Sequence, residues 1–460
     1  MTNTVDVLIV GDGIAGCCAA IAAHEQGAHV VVIDKAPQDV PHGNTAFSGG
    51  AFRRTGIEYP AEQFLADLMR LSGNRADPEI ARTVVERSAG AQIWLESIGV
   101  RFPAETRLLG QAPEVEDRGR ALASAVRSAV RARGIEVRSL TEATALLQRN
   151  DRVVGVQARH SDGRGVTLNA GAVILATGGF SANPDMVVRY IGPGARHLVL
   201  RGSPYNTGDG LRMAEAIGAK LDWMDDFHGG LIPYAYKEHR EDIEKAGTGM
   251  RHIAHYEVAV LINQDGKRFV DEGEYLSDKT YAKFGKIVPL TQPGGVAYVV
   301  FDKLTRHIVD PVYTGPGSDP IEAPTLDALA NKIGVPADVF CATIKAFNAG
   351  VCDGKNLTVT PPKTGFAQTI ETPPYYAHKV TGGFTFTFGG LRVDGGGTVL
   401  DTAGKPIPGL FAAGEITTGL FYGNYAGGSS LPKCTIFGRI TGVAAARFAA
   451  SVSADSNLQA

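Results

Sequence analysis

The residues best placed to do chemistry stand at the start of the chain. Gly11, Gly13 and Gly16 form G-x-G-x-x-G, and Asp34 follows at the distance expected of an acid that binds a ribose diol. In such a turn the first glycine permits the tight bend and the second lets a pyrophosphate approach the backbone. The third lets a helix pack closely on a sheet. Ile14 and Ala15 open that helix, whose N-terminus would face the phosphates. Together these positions describe a site for an adenine dinucleotide. An ordinary βαβ turn that binds nothing would need neither the three glycines nor the matched acid. The fingerprint alone does not choose between FAD and NAD.

These residues need particular elements to hold them. Val5–Val10 is a near-continuous apolar run suited to a buried parallel strand, and Ala15–Ala23 reads as the helix after it. Val30–Ile33 is a second strand, with Asp34 and Lys35 at its end. Residues 41–52, P-H-G-N-T-A-F-S-G-G-A-F, are polar and glycine-dense, and a helix should not start easily there. Gly43, Asn44, Thr45, Ser48, Gly49 and Gly50 make either a surface loop or a second cradle for the diphosphate and the isoalloxazine ring. Another buried strand, Ala172–Ala176, leads into Thr177-Gly178-Gly179, a second glycine turn at the carboxyl edge of the sheet. Asp209, in N-T-G-D-G, either caps the helix after it or faces the cofactor. Leu410–Ala413 is a last core strand, followed by Gly414, Glu415 and a glycine-rich loop into a terminal helix.

At 460 residues the chain can build two domains with substantial cores. A net charge of -3 offers no basic field for nucleic acid or an anionic membrane. The first hydrophobic run is the opening strand itself, so no signal peptide is expected, and no window is apolar enough to span a bilayer. Five cysteines without metal-type spacing suit reduced thiols in a cytoplasmic enzyme. The 57 glycines suit a backbone that approaches a large cofactor at many points.

Residues 60–100 read as helices, 117–140 as an amphipathic helix and a strand, and 153–158 with 166–169 as paired strands. From about 226 the chain changes character: Tyr, His and Pro increase and strand–glycine–helix units disappear. A hairpin at 258–273, a strand at 297–301 and helices at 325–350 are expected there. The fold class is therefore α/β, a Rossmann-type nucleotide-binding domain (1–225 and 375–460) with an inserted α+β cap for substrate (226–374). His252 and His255 have no third ligand nearby, so no metal site is expected.

G-D-G-I-A-G with Asp34, G-N-T-A-F-S-G-G, A-T-G-G-F, T-G-D-G, N-Q-D-G-K-R-F-V-D-E, L-F-A-A-G-E and F-G-R-I-T-G resemble a known superfamily. It is the flavoprotein superfamily of fumarate reductases, succinate dehydrogenases and 3-ketosteroid dehydrogenases, and the likeness covers nearly the whole chain. The stretches D-E-G-E-Y-L-S-D-K-T-Y and Y-A-G-G-S-S-L-P-K-C-T-I-F-G-R are most similar to tricarballylate dehydrogenase-like proteins. The resemblance implies FAD, with Asp34 on the adenosine ribose and Glu415 on ribityl or ribose hydroxyls. It also implies that amides near Ser430 and Leu431 lie at the pyrimidine end of the ring. Covalently flavinylated members carry a His about where Asn44 stands, which implies a non-covalent flavin. With no C-x-x-C-H motif and no iron–sulfur cysteine set in the sequence, the electron acceptor or donor is expected to be a separate molecule.

The departures from the pattern bear on the substrate. Fumarate reductases place a carboxylate-clamping Arg where Tyr425 stands, a His at Phe386 before Thr387, and a proton-donating Arg at Ser277. An Arg is a bidentate carboxylate fork that Phe or Tyr cannot replace, which argues against a small dicarboxylate. Ketosteroid dehydrogenases instead use Tyr as catalyst, with Tyr and Gly groups polarising a ketone. A phenol can move a proton if a carbonyl acidifies the neighbouring C–H. Tyr275, Tyr281, Tyr422 and Tyr425 are the candidates, Gly427 and Gly428 add N–H groups, and Phe47, Phe384, Phe386 and Phe388 line an apolar slot or belong to the core. The expected activity is an FAD-dependent α,β-desaturase, or the reverse ene-reductase, on an apolar ketone or cyclic keto acid. One alternative is a tricarballylate- or fumarate-type enzyme with Arg53, Arg54, Arg251 or Arg392 as replacement clamps. Another is a flavin-containing binding or electron-transfer protein without CH–CH chemistry.

Overall fold

The opening apolar run forms β1 (Thr4–Val10), in which Val7, Leu8 and Ile9 are wholly buried. It lies parallel to β2 (Val30–Ile33) on one side and β6 (Gly165–Leu175) on the other, as a two-sided apolar strand requires. Beyond β2 comes β3 (Glu136–Arg138), and beyond β6 come the strands Pro406–Ala412 and Thr398–Leu400. A structural model computed from the sequence describes residues 4–57, 59–102, 115, 118–238, 253–309 and 319–458. Arg251 and His252 lie outside the described residues.

The strands expected at 166–169 and 172–176 are one. β6 pairs antiparallel with β5 (Arg152–His160) at its start, then runs on in parallel with β1. β4 (Thr141–Arg149), absent from the sequence-based expectation, completes a meander with β5. Its alternation is broken by irregular register and polar residues, so no clean period marks it.

Helix α1 (Ile14–Glu25) is buried from Ile14 to Ala23. The helix Ser430–Leu458 covers it through Gly438 and Gly442, where a side chain would strike the carbonyl oxygens of Ala15 and Ala19. Small residues on both helices are what permit this approach.

The chain divides into two compact units. The first holds Met1–Ile191, Gly202–Phe227 and Thr385–Ala460; the second holds Gly192–Arg201 and His228–Phe384. The second unit thus runs beyond the 226–374 read from sequence, and pairing explains why. The strand Tyr375–Thr387 is antiparallel to Ala297–Asp302 over 375–380 and meets Val199–Leu200 at Gly383 and Phe384. Helices Leu326–Ile333 and Ala337–Ala349 pack beside this sheet through Leu329, Phe340, Ile344 and Phe347.

The hairpin expected at 258–273 is half formed. Val260–Asn263 is a strand, but its return is a single bridge at Ile262 and Arg268. Arg268 turns inward instead, its guanidinium 2.6 Å from Glu272 Oε2, and Glu272 Oε1 accepts the Leu261 N–H at 2.8 Å. That carboxylate takes the hydrogen bond a second strand would have used. Among the described residues, no helix is long and apolar enough to cross a membrane.

Candidate functional site

In the first unit the three fingerprint glycines have separable roles. Gly11 adopts φ 106°, and a Cβ there would meet the carbonyl of Ala176. A Cβ on Gly16 would overlap the Gly11 carbonyl oxygen. Gly13 has nothing within 4 Å of where a Cβ would lie, so the turn is open at that residue alone. Gly13 is also the N-cap of α1, and the first helical hydrogen bond is donated by Cys17. The amides of Ile14, Ala15 and Gly16 are left to bind an anion. This is the cradle a diphosphate needs, and it fits FAD.

The second cradle contradicts the expectation of a non-helical loop: Gly43–Ala46 is one helical turn. Asn44 holds it there. Its Oδ1 accepts from Ser203 N at 2.8 Å, and its Nδ2 donates to Thr385 O at 3.0 Å and Glu415 Oε2 at 2.7 Å. A Cβ on Gly43 would lie 3.6 Å from the Cα of Gly13, so the two cradles adjoin. Thr45 is buried, its carbonyl accepting from Ser48 Oγ at 2.8 Å, and Gly49 is as open as Gly13. Gly50 (φ 79°) packs on the backbone of Arg118.

Glu415 is the hub of the cradle. Its Oε1 accepts from Asn206 Nδ2 at 2.8 Å and from Thr387 N at 3.1 Å, beneath the Gly178–Gly179 turn. Burial raises its pKa against these donors. Thr387, expected at the substrate, thus meets Glu415, expected at the cofactor, and Asn206 joins them without any motif to mark it. Gly414 rests on Ala15 of α1. Thr177 abuts Gly210, at the start of the helix Asp209–Glu215. Asp209 is not that helix's cap, which is Gly208. Asp209 pairs with Lys35, so these two predicted cofactor residues meet each other beside Thr207.

Asp34 Oδ2 accepts the amide of Asp12 at 3.0 Å and Oδ1 that of Ala36 at 2.8 Å. Asp12, Asp34 and His42 bring ligand-type atoms within 4.8 Å of one another. The His42 ring and the Arg127 guanidinium both face the Asp12 carboxylate.

The terminal loop carries an aromatic cluster. Phe386, Phe388, Phe421 and Tyr425 stack edge to face or tilted, with centroids 5.0–6.4 Å apart. The hydroxyl of Tyr425 accepts from Ser430 N at 3.0 Å and lies 3.0 Å from Ser430 Oγ. The Ser430 amide, expected at the flavin, is thus engaged by Tyr425, while Leu431 is buried beside it in the core. Burial raises the Tyr425 pKa, so it stays a donor. Arg53, fully buried, donates from Nε to Gly427 O at 2.6 Å and from its amide to Gly428 O at 2.8 Å. Its place as loop anchor argues against a substrate clamp. Tyr422 lies beneath the Arg75 guanidinium at 4.0 Å and against Trp223. Arg392 is paired with Asp222.

Lys433, in the first turn of the terminal helix, was not anticipated. Its buried Nζ donates to Thr417 O at 2.6 Å and Gly414 O at 3.2 Å, and burial lowers its pKa to about 8.

In the second unit Tyr281 is buried, its hydroxyl 2.8 Å from His228 Nε2. Arg201 lies within electrostatic reach of Tyr281 and Tyr236; burial lowers its pKa and the two phenols oppose that shift. Tyr275 is half-buried with Lys279 Nζ 3.3 Å from its hydroxyl, and Ser277 accepts the His255 amide at 2.9 Å. Tyr281 of the predicted pair thus has an imidazole beside it and Tyr275 an amine. His228 and Arg201 escaped the sequence reading because nothing local ties them to Tyr281.

The signature of the FAD binding domain family spans residues 6–431. The chain belongs to that family. It is 30% identical to a probable fumarate reductase of Shewanella frigidimarina, over 97% of this chain and 76% of that protein. It is 28% identical to a vinyl phenol reductase of Lactiplantibacillus plantarum, over 97% of both. The structure of a 3-ketosteroid-Δ4-(5α)-dehydrogenase from Rhodococcus jostii with 4-androstene-3,17-dione matches at TM-score 0.75 and 25% identity, over 96% of this chain and 97% of that one. The protein is a flavoprotein oxidoreductase, as the fingerprint and the A-A-G-E turn implied.

Proposed function

We propose that this flavoprotein introduces or reduces a carbon–carbon double bond next to a carbonyl, in a substrate with a substantial apolar part. The aromatic cluster of Phe386, Phe388, Phe421 and Tyr425 carries this reading, because two of its members, Phe386 and Tyr425, stand where the resemblance places the His and the carboxylate-clamping Arg of fumarate reductases. When bound, FAD exchanges a hydride with the substrate carbon.

The chain's own groups supply the rest. Tyr425, kept protonated by burial and polarised by the Ser430 N–H, donates to the carbonyl oxygen. In the second unit Tyr281, with His228 Nε2 as its partner, is suited to moving a proton. Ile14, Ala15 and Gly16 amides hold the diphosphate, and Asp34 the ribose. We take the flavin to be non-covalent; the hydrogen bonds at both ring nitrogens of His42, in the second cradle, support this. The five cysteines form no disulfide, which suits the cytoplasm, and the electron partner is a separate molecule.

A second reading has one observation in its favour. Arg201 near Tyr281 would suit a substrate carboxylate, as in a polycarboxylate or unsaturated acid.

Anaerobic bleaching of the flavin separates the two. Cyclic ketones and 3-ketosteroids should bleach it rapidly, and Tyr281→Phe or Tyr425→Phe should slow this about 10²–10⁴-fold with FAD still bound. Bleaching by succinate or tricarballylate alone would sink the ketone reading and favour Arg201.

A further inference from the structure

The middle residue of the glycine turn, Asp12, is an acid where an anionic diphosphate must come to rest. It is 3% exposed and ties four segments together. Its amide donates to Asp34, and its carbonyl accepts from Arg127 Nε at 3.3 Å and Cys17 Sγ at 3.2 Å. Its Oδ1 lies 2.6 Å from His42 Nε2 and 3.2 Å from the Arg127 guanidinium, which also donates to His42 O at 2.9 Å. We propose that Asp12, His42 and Arg127 form a clasp fastening the second cradle onto the glycine turn, with His42 held as an imidazolium whose charge governs FAD retention.

The protonation follows from the hydrogen bonds. His42 Nδ1 is 2.8 Å from the Val40 carbonyl, which can only accept. Nε2 faces the Asp12 carboxylate, which the adjacent guanidinium keeps ionised, so it too only accepts. Both ring nitrogens must then carry protons. Among the described residues, the other titratable groups facing this pair are Asp34, Arg127 and the Cys17 thiol. With the imidazolium present, the carboxylates of Asp12 and Asp34 are balanced by His42 and Arg127. Without that proton the cluster is anionic at the place that receives two phosphates.

Burial depresses the His42 pKa, but the Asp12 hydrogen bond and charge outweigh it and the net shift is upward. The stabilisation is therefore complete below the ordinary His value near 6.5 and is lost as pH rises through the raised value. His42 and Arg127 are positioning residues: they touch the turn and the cradle.

The proposal rests on FAD at the glycine turn and is independent of the substrate. Apoprotein should be titrated with FAD between pH 6 and 9.5, and the His42 ring followed by nitrogen-15 NMR. Affinity should fall tenfold or more with rising pH in the wild type. His42→Gln should bind weakly at every pH with a flat profile, and Asp12→Asn should move the loss to lower pH. Both His42 ring nitrogens should be protonated at pH 7, a readout that stands even if the variants fail to fold. A pH-independent affinity in the wild type, or one bare ring nitrogen at pH 7, overturns the clasp. FAD binding at no pH, with His42 doubly protonated, overturns the cofactor assignment and this proposal with it.

Discussion

The cofactor cradle and the charged core of the second unit solve the same problem in opposite ways. The glycine turn places bare backbone amides on residues that lie within a few positions of one another. The second unit buries side-chain charge: Arg268, Glu272 and Lys363 are each at most 7% exposed and come from segments nearly a hundred residues apart. Backbone sites can be read from spacing, whereas side-chain networks exist only after folding. The two should therefore fail differently when changed.

The largest effect is expected in the charged core. Glu272→Ala leaves Arg268 and Lys363 buried without their anion, which should cost about 3–5 kcal/mol in denaturant unfolding. A loss below about 1 kcal/mol would mean the network is hydrated, and the contrast would not hold.

Within the cradle, glycines should divide by role. Gly16→Ala should destabilise the apoprotein, because its Cβ overlaps the Gly11 carbonyl. Gly13→Ala meets open space, so its melting should match wild type within about 0.5 kcal/mol while FAD affinity drops at least tenfold. Equal melting losses for both would show that Gly13 serves packing rather than the ligand.

A smaller, pH-dependent effect is expected at Lys433. Its folded pKa, about 8, is below the unfolded value, so its charged form costs stability below pH 8. That cost is relieved as pH rises from about 8 to about 10.5. The stability of wild type relative to Lys433→Met should accordingly rise over that window, by up to about 3 kcal/mol. A constant difference would mean the ammonium stays protonated, held by the Gly414 and Thr417 carbonyls.

The same contrast explains what could be read in advance. Gly11, Gly13, Gly16 and Asp34 were legible because their chemistry is local and their order fixed. Asn206, His228 and Arg127 were not, because each acquires its partner only through the fold: Arg127 reaches Asp12 across 115 positions. The hairpin at 258–273 misled for a related reason. Its alternation and Asp-Gly turn favour a second strand, but the local preference is overridden when Glu272 captures the Leu261 amide. Tyr425 could be placed on its loop from the motifs around it, whereas its bond to Ser430 required the terminal helix to be seen in position.

The packing of Gly438 and Gly442 on α1 has a consequence for biosynthesis. The fingerprint is synthesised about 400 residues before Glu415 and the helix that closes over α1, roughly the distance from Gly11 to Glu415. A nascent chain carrying only its opening third exposes the apolar face of α1 and lacks the hub of the cradle. The cradle is therefore completed only once Glu415 and this helix have been made, and until then the apolar face of α1 lacks its cover.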